Sequence, residues 1–436
     1  MTTTSAETTP AGSLAPARLS PEGYDPESLE KVPVRGRLRR LLLSILLGNV
    51  GIFALWGAIP GILLPLQVED IDPKHKAARL AVITTVGAFA ALVAQPVAGM
   101  LSDRTRSRFG RRAPWMVGGA LVGGLGLVGM ASADALVQLG IAWVIVQVAF
   151  NFTQGPLSAV MPDRVPRGVR GTFAAVMGLG TMIGALGGQV VGSRFADHLP
   201  AGYLLFAGLA IVVVVLFVVL NPDRSNAGEP RAPFELRAFL RTFWVSPRSH
   251  PDFAWGFVNR LLLYVGYFLV SGYQLYILQD YVGLGDDAVK LVPVLGLVGL
   301  VGNVVTMLTF GPLSDRIGRR KPFVLVSGLV MAVGLLVPWI SPTVAGMVVM
   351  SLVLGLGMGA YMAVDSALMS EVLPAAEDFG KDLGVLNIAA TLPQTVGPAL
   401  AGGIVVVSGG YTALFPIGVV VALLGSLAVL RIRGVR

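Results

Sequence analysis

Apolar residues run along this chain in blocks of about 20, each broken by a short polar or Gly/Pro-containing segment. A helix of that length spans the hydrocarbon core of a bilayer. The blocks do not alternate apolar with polar residues, as barrel strands would. Twelve blocks are read: 41–66, 78–101, 114–133, 135–160, 171–195, 202–220, 253–278, 288–312, 322–340, 343–369, 383–407 and 411–430. The pattern predicts an all-α membrane protein with twelve transmembrane helices.

Two stretches fall outside the blocks. Residues 1–38, rich in Thr, Ser, Ala, Pro and Glu up to position 34, cannot bury enough apolar surface to fold and read as a disordered tail. They lack the basic start and apolar run of a signal peptide. Residues 221–252 carry prolines and mixed charges between the sixth and seventh blocks. They read as a linker between a first bundle at 39–220 and a second at 253–431.

Composition agrees, with 54% hydrophobic and 13% charged residues in 436. A soluble domain carries about 25% charged residues. The net charge is +8, and its distribution decides what it means. With both ends on one side, as an even number of spans requires, 27 of the 33 Lys and Arg fall on that side. Five (Lys74, Lys76, Arg79, Arg194, Lys290) fall on the other, and Arg260 lies within a helix. This positive-inside partition predicts cytoplasmic termini and a cytoplasmic linker in a cell (inner) membrane. It accounts for the basic charge without nucleic acid. No cysteine is present, so thiolate and disulfide chemistry is excluded. The three His (His75, His198, His250) sit at loops or their edges, which argues against a His-based metal site. No G-x-x-x-x-G-K phosphate loop occurs, so transport driven by ATP is not expected, and no cofactor is.

The chain repeats itself. Gly99-Met-Leu-Ser-Asp-Arg104 recurs as Gly311-Pro-Leu-Ser-Asp-Arg316, 212 positions on. Gly110-Arg-Arg-Ala-Pro-Trp115 recurs as Gly318-Arg-Arg-Lys-Pro-Phe323 at 208, the difference being Arg106-Ser-Arg-Phe109, present only in the first copy. Met161-Pro-Asp-Arg-Val-Pro166 faces Met369-Ser-Glu-Val-Leu-Pro374, again at 208. Two parallel six-helix halves are a transporter architecture. In this loop Gly99 and Gly311 are expected to permit close helix approach, Asp103 and Asp315 to accept hydrogen bonds at helix ends, and Arg104, Arg111, Arg112, Arg316, Arg319 and Arg320 to anchor at the inner leaflet.

The doubled loop resembles the major facilitator motif between helices two and three. Ser102-Asp-Arg-Thr-Arg-Ser-Arg-Phe-Gly-Arg-Arg-Ala-Pro-Trp115 further resembles the loop of the glycoside–pentoside–hexuronide:cation symporters and of sucrose transporters. Asn151-Phe-Thr-Gln-Gly-Pro156 is similar to the sucrose transporters' N-x-x-Q-G-P on helix four. The resemblance implies the major facilitator fold, two pseudo-symmetric six-helix bundles, and sugar or glycoside transport coupled to a cation. The chain departs from it at Gln147, where sucrose transporters carry an acid. Neither 78–101 nor 135–160 holds the carboxylates of the sodium-coupled members.

Polar side chains at helical spacing within a span mark a face turned from lipid. Helix four shows Gln147, Asn151, Gln154 and Ser158; helix seven shows Arg260, Tyr264, Tyr267, Ser271 and Gln274. Helix one adds Asn49, Phe53, Trp56 and Pro60, helix ten Tyr361 and Asp365, and helix eleven Asn387, Thr391 and Gln394. The resemblance implies that helices one, four, seven and ten line a central cavity. Asn49, Trp56, Gln147, Asn151, Gln154, Tyr264, Tyr267, Gln274, Tyr361 and Asn387 are the expected solute pathway. Such residues can instead be hydrogen-bonded glue between helices, at about 0.6 kcal/mol each. Amides and rings together suit a hydroxylated solute. Arg260 and Asp365 are expected to pair near the inner membrane edge, with Asp365 the proton-carrier candidate. The reading is a monomeric secondary transporter of a small polar solute, a sugar or glycoside, by alternating access. An efflux pump for amphipathic compounds is the alternative, favoured by an apolar cavity. A membrane-embedded enzyme would need a cluster of His, Asp or Glu that the chain does not show.

Overall fold

The computed structural model describes residues 19–228, 248–372 and 379–433. Among these residues are twelve long helices: α1 Gly36–Ile71, α2 Lys76–Arg104, α3 Ala113–Ala131, α4 Leu136–Arg164, α5 Arg170–Ser193 and α6 Leu199–Leu220 form one set. The other is α7 Pro251–Ser271, α8 Ala288–Ile317, α9 Lys321–Ile340, α10 Val344–Val372, α11 Phe379–Ser408 and α12 Leu414–Ala428. Eleven spans among the described residues are long and apolar enough to cross a membrane, and the apolar part of α11, Leu392–Ser408, is shorter. The outward face of α2 shows why. Val82, Val86, Phe89 and Val93, at i, i+4, i+7 and i+11, are 53–64% exposed. An apolar stripe so exposed needs hydrocarbon around it.

The pairings are symmetric. α1 packs on α5 and α6, α2 on α4, and α3 on α4 and α6. The second half repeats each: α7 on α11 and α12, α8 on α10, and α9 on α10 and α12. The seams between halves, α2–α11 and α5–α8, exchange under the same pseudo-two-fold. The expected pair of six-helix bundles is thus present.

Within lipid, helices associate through close packing and hydrogen bonds rather than exclusion from water. Glycine supplies the closeness. Gly180, Gly184, Gly188 and Gly192 line the face of α5 that meets α1, and a Cβ on Gly188 would stand 2.0 Å from the Ala54 carbonyl oxygen. On α10, a Cβ on Gly355 would stand 2.0 Å from the Gly299 oxygen of α8. Gly99 and Gly311 do not act this way. Nothing lies within 4 Å of a Cβ at either, so the expected close approach at those positions is corrected.

One π-turn interrupts α1 and another follows its counterpart α7. The one in α1, at Ile59–Leu63, includes Pro60, which has no N–H to give the ladder. α7 was expected unbroken to 278. It stops at Ser271, resumes at Gln274–Tyr276 and ends in a π-turn at Ile277–Tyr281. Pro398 of α11 abuts Gly272 at the break, where a Cβ would meet its ring at 2.8 Å.

The tail also departs from expectation. Positions 1–18 lie outside the described residues, but 19–35 are docked on the α4–α5 connection. Glu22 pairs with Arg164, the Pro26 oxygen accepts from Arg167 N and Arg170 Nη2, and the Ser28 oxygen accepts from Gly168 N. Arg164 is 6% exposed and also donates to the Asn221 oxygen at 3.0 Å, so the strap closes over a buried cation. The middle of the expected linker, 229–247, lies outside the described residues.

Candidate functional site

A cavity of about 760 Å³ lies between the two bundles. Trp56 of α1 and Gln147, Asn151 and Gln154 of α4 line it, as do Tyr267 and Ser271 of α7 and Gln274 just beyond its break. The α4 stripe points into it because i, i+4 and i+7 share one helix face. Trp56 Nε1 donates to Gln154 Oε1 at 3.0 Å, and its ring meets Trp143 and Phe150 edge-on at 6.3 and 6.5 Å. Asn151 donates to the Gln147 carbonyl at 2.8 Å, which fixes its amide and leaves its oxygen as an acceptor.

Three expected members are elsewhere. Asn49 is 5% exposed and donates to the Ile45 carbonyl of its own helix at 2.8 Å. Tyr264 and Tyr361 pack edge-to-face at 5.9 Å in the second bundle, outside the cavity lining. The side chain of Asn387 lies outside the described residues. Gln394 of α11, on the polar face read from the sequence, also lines the cavity, and other residues enter unannounced: Gln95 of α2, Gln189 of α5, Asn303 of α8 and Ser351 of α10. Gln95, Gln189 and Asn303 are lone amides with no polar stripe beside them. Their only sequence signal is the cost of a polar group inside a span.

The lining is amide, hydroxyl, aromatic and aliphatic; among the described residues no Asp, Glu, Lys, Arg or His contributes. The two sides differ. The first bundle presents five amides, Gln95, Gln147, Asn151, Gln154 and Gln189, whereas the second presents three, Gln274, Asn303 and Gln394, beside Phe268, Leu295, Met350, Leu354 and Met358. The buried Gln189 Oε1 and Asn303 Oδ1 have no hydrogen-bond partner among the described residues. An unmet acceptor of this kind costs about 1–3 kcal/mol, which a donor hydroxyl would relieve.

Arg260 and Asp365 meet outside the cavity lining: Nη2 to Oδ2 is 3.2 Å, with the side chains 19% and 5% exposed. Tyr361 Oη donates to Asp365 Oδ1 at 2.7 Å and lies 3.3 Å from Asn259 Oδ1. Asn259, fully buried, donates to the Gly425 oxygen beside α7, so the cluster is tied into α12. Tyr264 is a hydrogen-bonding neighbour of Arg260.

At the motif loop, Arg112 is 9% exposed. It reaches Asp103 at 2.7 Å, Ser102 Oγ at 3.0 Å and Asp163 of α4 at 2.9 Å. Arg111 joins Asp163 at 2.6 Å. Asp163 belongs to the third repeated element and Asp103 to the first, so three elements that looked separate in sequence form one ion-pair cluster. Arg104 closes α2. Gly110 and Gly318 both take positive φ (81° and 67°), a conformation glycine adopts at low cost, which explains why both copies carry it. Arg316 lies in the last turn of α8, Arg319 follows Gly318 in the short connection to α9, and Arg320 donates to Ser314 Oγ. The side chain of Asp315 lies outside the described residues.

Cross-bundle hydrogen bonds gather at the opposite end. Tyr273 Oη donates to the Ala77 carbonyl and Tyr276 Oη to the Pro65 carbonyl, both at 2.7 Å. The structure is thus a conformation bridged at that end.

Comparison with known proteins agrees with this architecture. Residues 68–418 match the family described as MFS/sugar transport protein. Sucrose transport protein SUC4 of Arabidopsis thaliana is 26% identical over 438 residues, covering 84% of each chain. Multidrug resistance protein MdtG of Escherichia coli is 26% identical over 282 residues, 63% of this chain and 66% of its own. Among solved structures, a nucleoside transporter, NupG, aligns with TM-score 0.71 at 15% identity over 90% of this chain and 98% of its own. A D-xylose–proton symporter aligns with TM-score 0.68 at 16% identity over 92% and 98%.

Proposed function

The chain belongs to the MFS/sugar transport family, and from that premise we propose that it carries a neutral sugar or glycoside across the membrane by alternating access. The observation that carries the substrate class is the cavity lining, rich in carboxamides and rings and free of charged side chains among the described residues. A charged solute would enter it without a counter-ion, a cost of several kcal/mol. A sugar offers hydroxyl donors and acceptors to the amides of the first bundle and an apolar ring face to Trp56 and Tyr267. The SUC4 relative supports the same class. Thermal-shift measurements on the purified protein across a panel of mono- and disaccharides and glycosides test it. A sugar that raises the unfolding temperature in a saturable way, with charged solutes inert, supports the reading.

The coupling role goes to Arg260 and Asp365, with a proton as the coupling ion. They form an ion pair in the second bundle, whereas the spans 78–101 and 135–160 of the first hold no carboxylate. The distribution of Lys and Arg supports cytoplasmic termini in a cell (inner) membrane. Reporter fusions at each end check this, and an external signal from either would contradict it. We take the transporter to work as a monomer, without enzymatic activity or nucleic acid. A second reading, efflux of amphipathic compounds, is favoured by the Met350, Leu354 and Met358 side of the cavity and by the MdtG relative.

A further inference from the structure

Lys76 opens α2 at the bridged end and is 12% exposed. Its ammonium contacts Glu69 Oε1 of α1 at 2.7 Å, Asp280 Oδ1 at 2.9 Å and Gln279 Oε1 at 3.3 Å. The Tyr276 ring lies 4.7 Å away, at cation–π distance. Gln279 Nε2 in turn donates to Glu69 Oε2 at 2.9 Å. Glu69 and Lys76 belong to the first bundle; Tyr276, Gln279 and Asp280 belong to the second, in the π-turned extension of α7.

From this partition we propose that Lys76 is a releasable latch between the bundles, the residue that positions the transporter in its bridged state and sets how often this end opens. The inference rests on the alternating-access reading above.

What makes it a latch rather than a strut is what each charge keeps on separation. When the bundles part, Lys76 retains Glu69, which lies on its own side. Asp280 retains Tyr411, whose Oη donates to Asp280 Oδ2 at 3.0 Å from within the second bundle. Neither ion is stranded, so opening loses only the cross-bundle contacts. Arg260 and Asp365 differ, because both lie in the second bundle and a rigid-body movement leaves them together. Partial exposure of Glu69 and Asp280, at 27% and 40%, lets water replace what is lost. The latch is then strong enough to bias the equilibrium and weak enough to release.

The absence of native cysteine makes a direct test clean. Ser271→Cys places one thiol in the cavity, and Lys74→Cys, at an exposed position on the latch side, marks which membrane face that side occupies. Impermeant maleimide is applied to intact cells and to inside-out vesicles. From the marked face, Lys76→Met should raise the labelling rate of Ser271→Cys about tenfold, the effect of one charge-assisted hydrogen bond on a two-state equilibrium. Asp280→Asn should raise it in the same direction, and adding it to Lys76→Met should change little further. Lys76→Arg should keep most of the restraint. Should Lys76→Met fail to fold, Asp280→Asn carries the test alone. An unchanged rate in a folded variant overturns the latch, as does independent addition of the two substitutions. No solute enters the assay, so a wrong sugar assignment leaves the result readable.

Discussion

Replacing Asp365 by Asn should harm this protein more than removing the whole ion pair. Asp365 is 5% exposed, and its carboxylate faces Arg260 Nη2 at 3.2 Å and Tyr361 Oη at 2.7 Å. An Asn keeps the shape and can still accept from Tyr361, so the loss is chiefly electrostatic. Arg260 then holds a charge it cannot shed, because a guanidinium does not deprotonate in proteins. Stranding one member of a buried pair costs about 3–5 kcal/mol. Arg260 is 19% exposed rather than fully enclosed, and Tyr264 remains its neighbour, so the lower end of that range is expected. The double variant Arg260→Met, Asp365→Leu strands nothing and should fall within about 1–2 kcal/mol of the parent. Arg260→Met alone strands a carboxylate, which can escape by binding a proton. Thermal and denaturant unfolding of the four purified proteins in detergent, closed as a double-mutant cycle, measures this. A double variant as unstable as the sum of the singles would refute the reasoning. The pair would then be two residues with separate partners, and its use as a coupling element would go with it.

Other outcomes follow from the same geometry. Asn151→Leu should abolish binding of any solute the panel identifies while leaving unfolding within about 1 kcal/mol of the parent, the worth of its one local hydrogen bond. Gly188→Ala sets a methyl 2.0 Å from the Ala54 oxygen and should force α1 from α5, costing about 1–3 kcal/mol, read as a lower unfolding temperature. Asp72, outside the spans, is held below the ordinary carboxylate range mainly by its hydrogen bond from Arg79, with His75 adding to it. A folded value lowered this way gives stability that is full above the unfolded value near 3.9 and lost as pH falls through the folded one. Arg79→Gln should therefore flatten the acid limb of the stability profile below about pH 4, and leave it unchanged near neutrality only in slope.

Much of this architecture was legible because each span must satisfy itself in hydrocarbon, which writes its length into the sequence. The α4 stripe was legible because three amides at one helical phase are hard to place elsewhere. Gln95, Gln189 and Asn303 escaped because a single amide has no phase to read. Asn49 had the right phase but spends its amide on the Ile45 carbonyl, a choice that local backbone geometry makes. Tyr264 and Tyr361 continue stripes beyond the cavity into the Arg260–Asp365 cluster, and periodicity does not say where a cavity ends. The docking of 19–35 depends on Arg164, 142 residues from Glu22, a distance that composition cannot cross. The same holds for Asp163, whose partners Arg111 and Arg112 lie about 50 residues earlier.

The most direct test of the central claim is solute counterflow in proteoliposomes containing the purified full chain. Vesicles are preloaded with an unlabelled sugar from the thermal-shift panel and diluted into the labelled one. The account predicts a transient accumulation of label in the parent, lost in Asn151→Leu and in vesicles without protein. Absence of counterflow for every sugar and glycoside, together with saturable movement of an amphipathic cation through the same cavity, would contradict it.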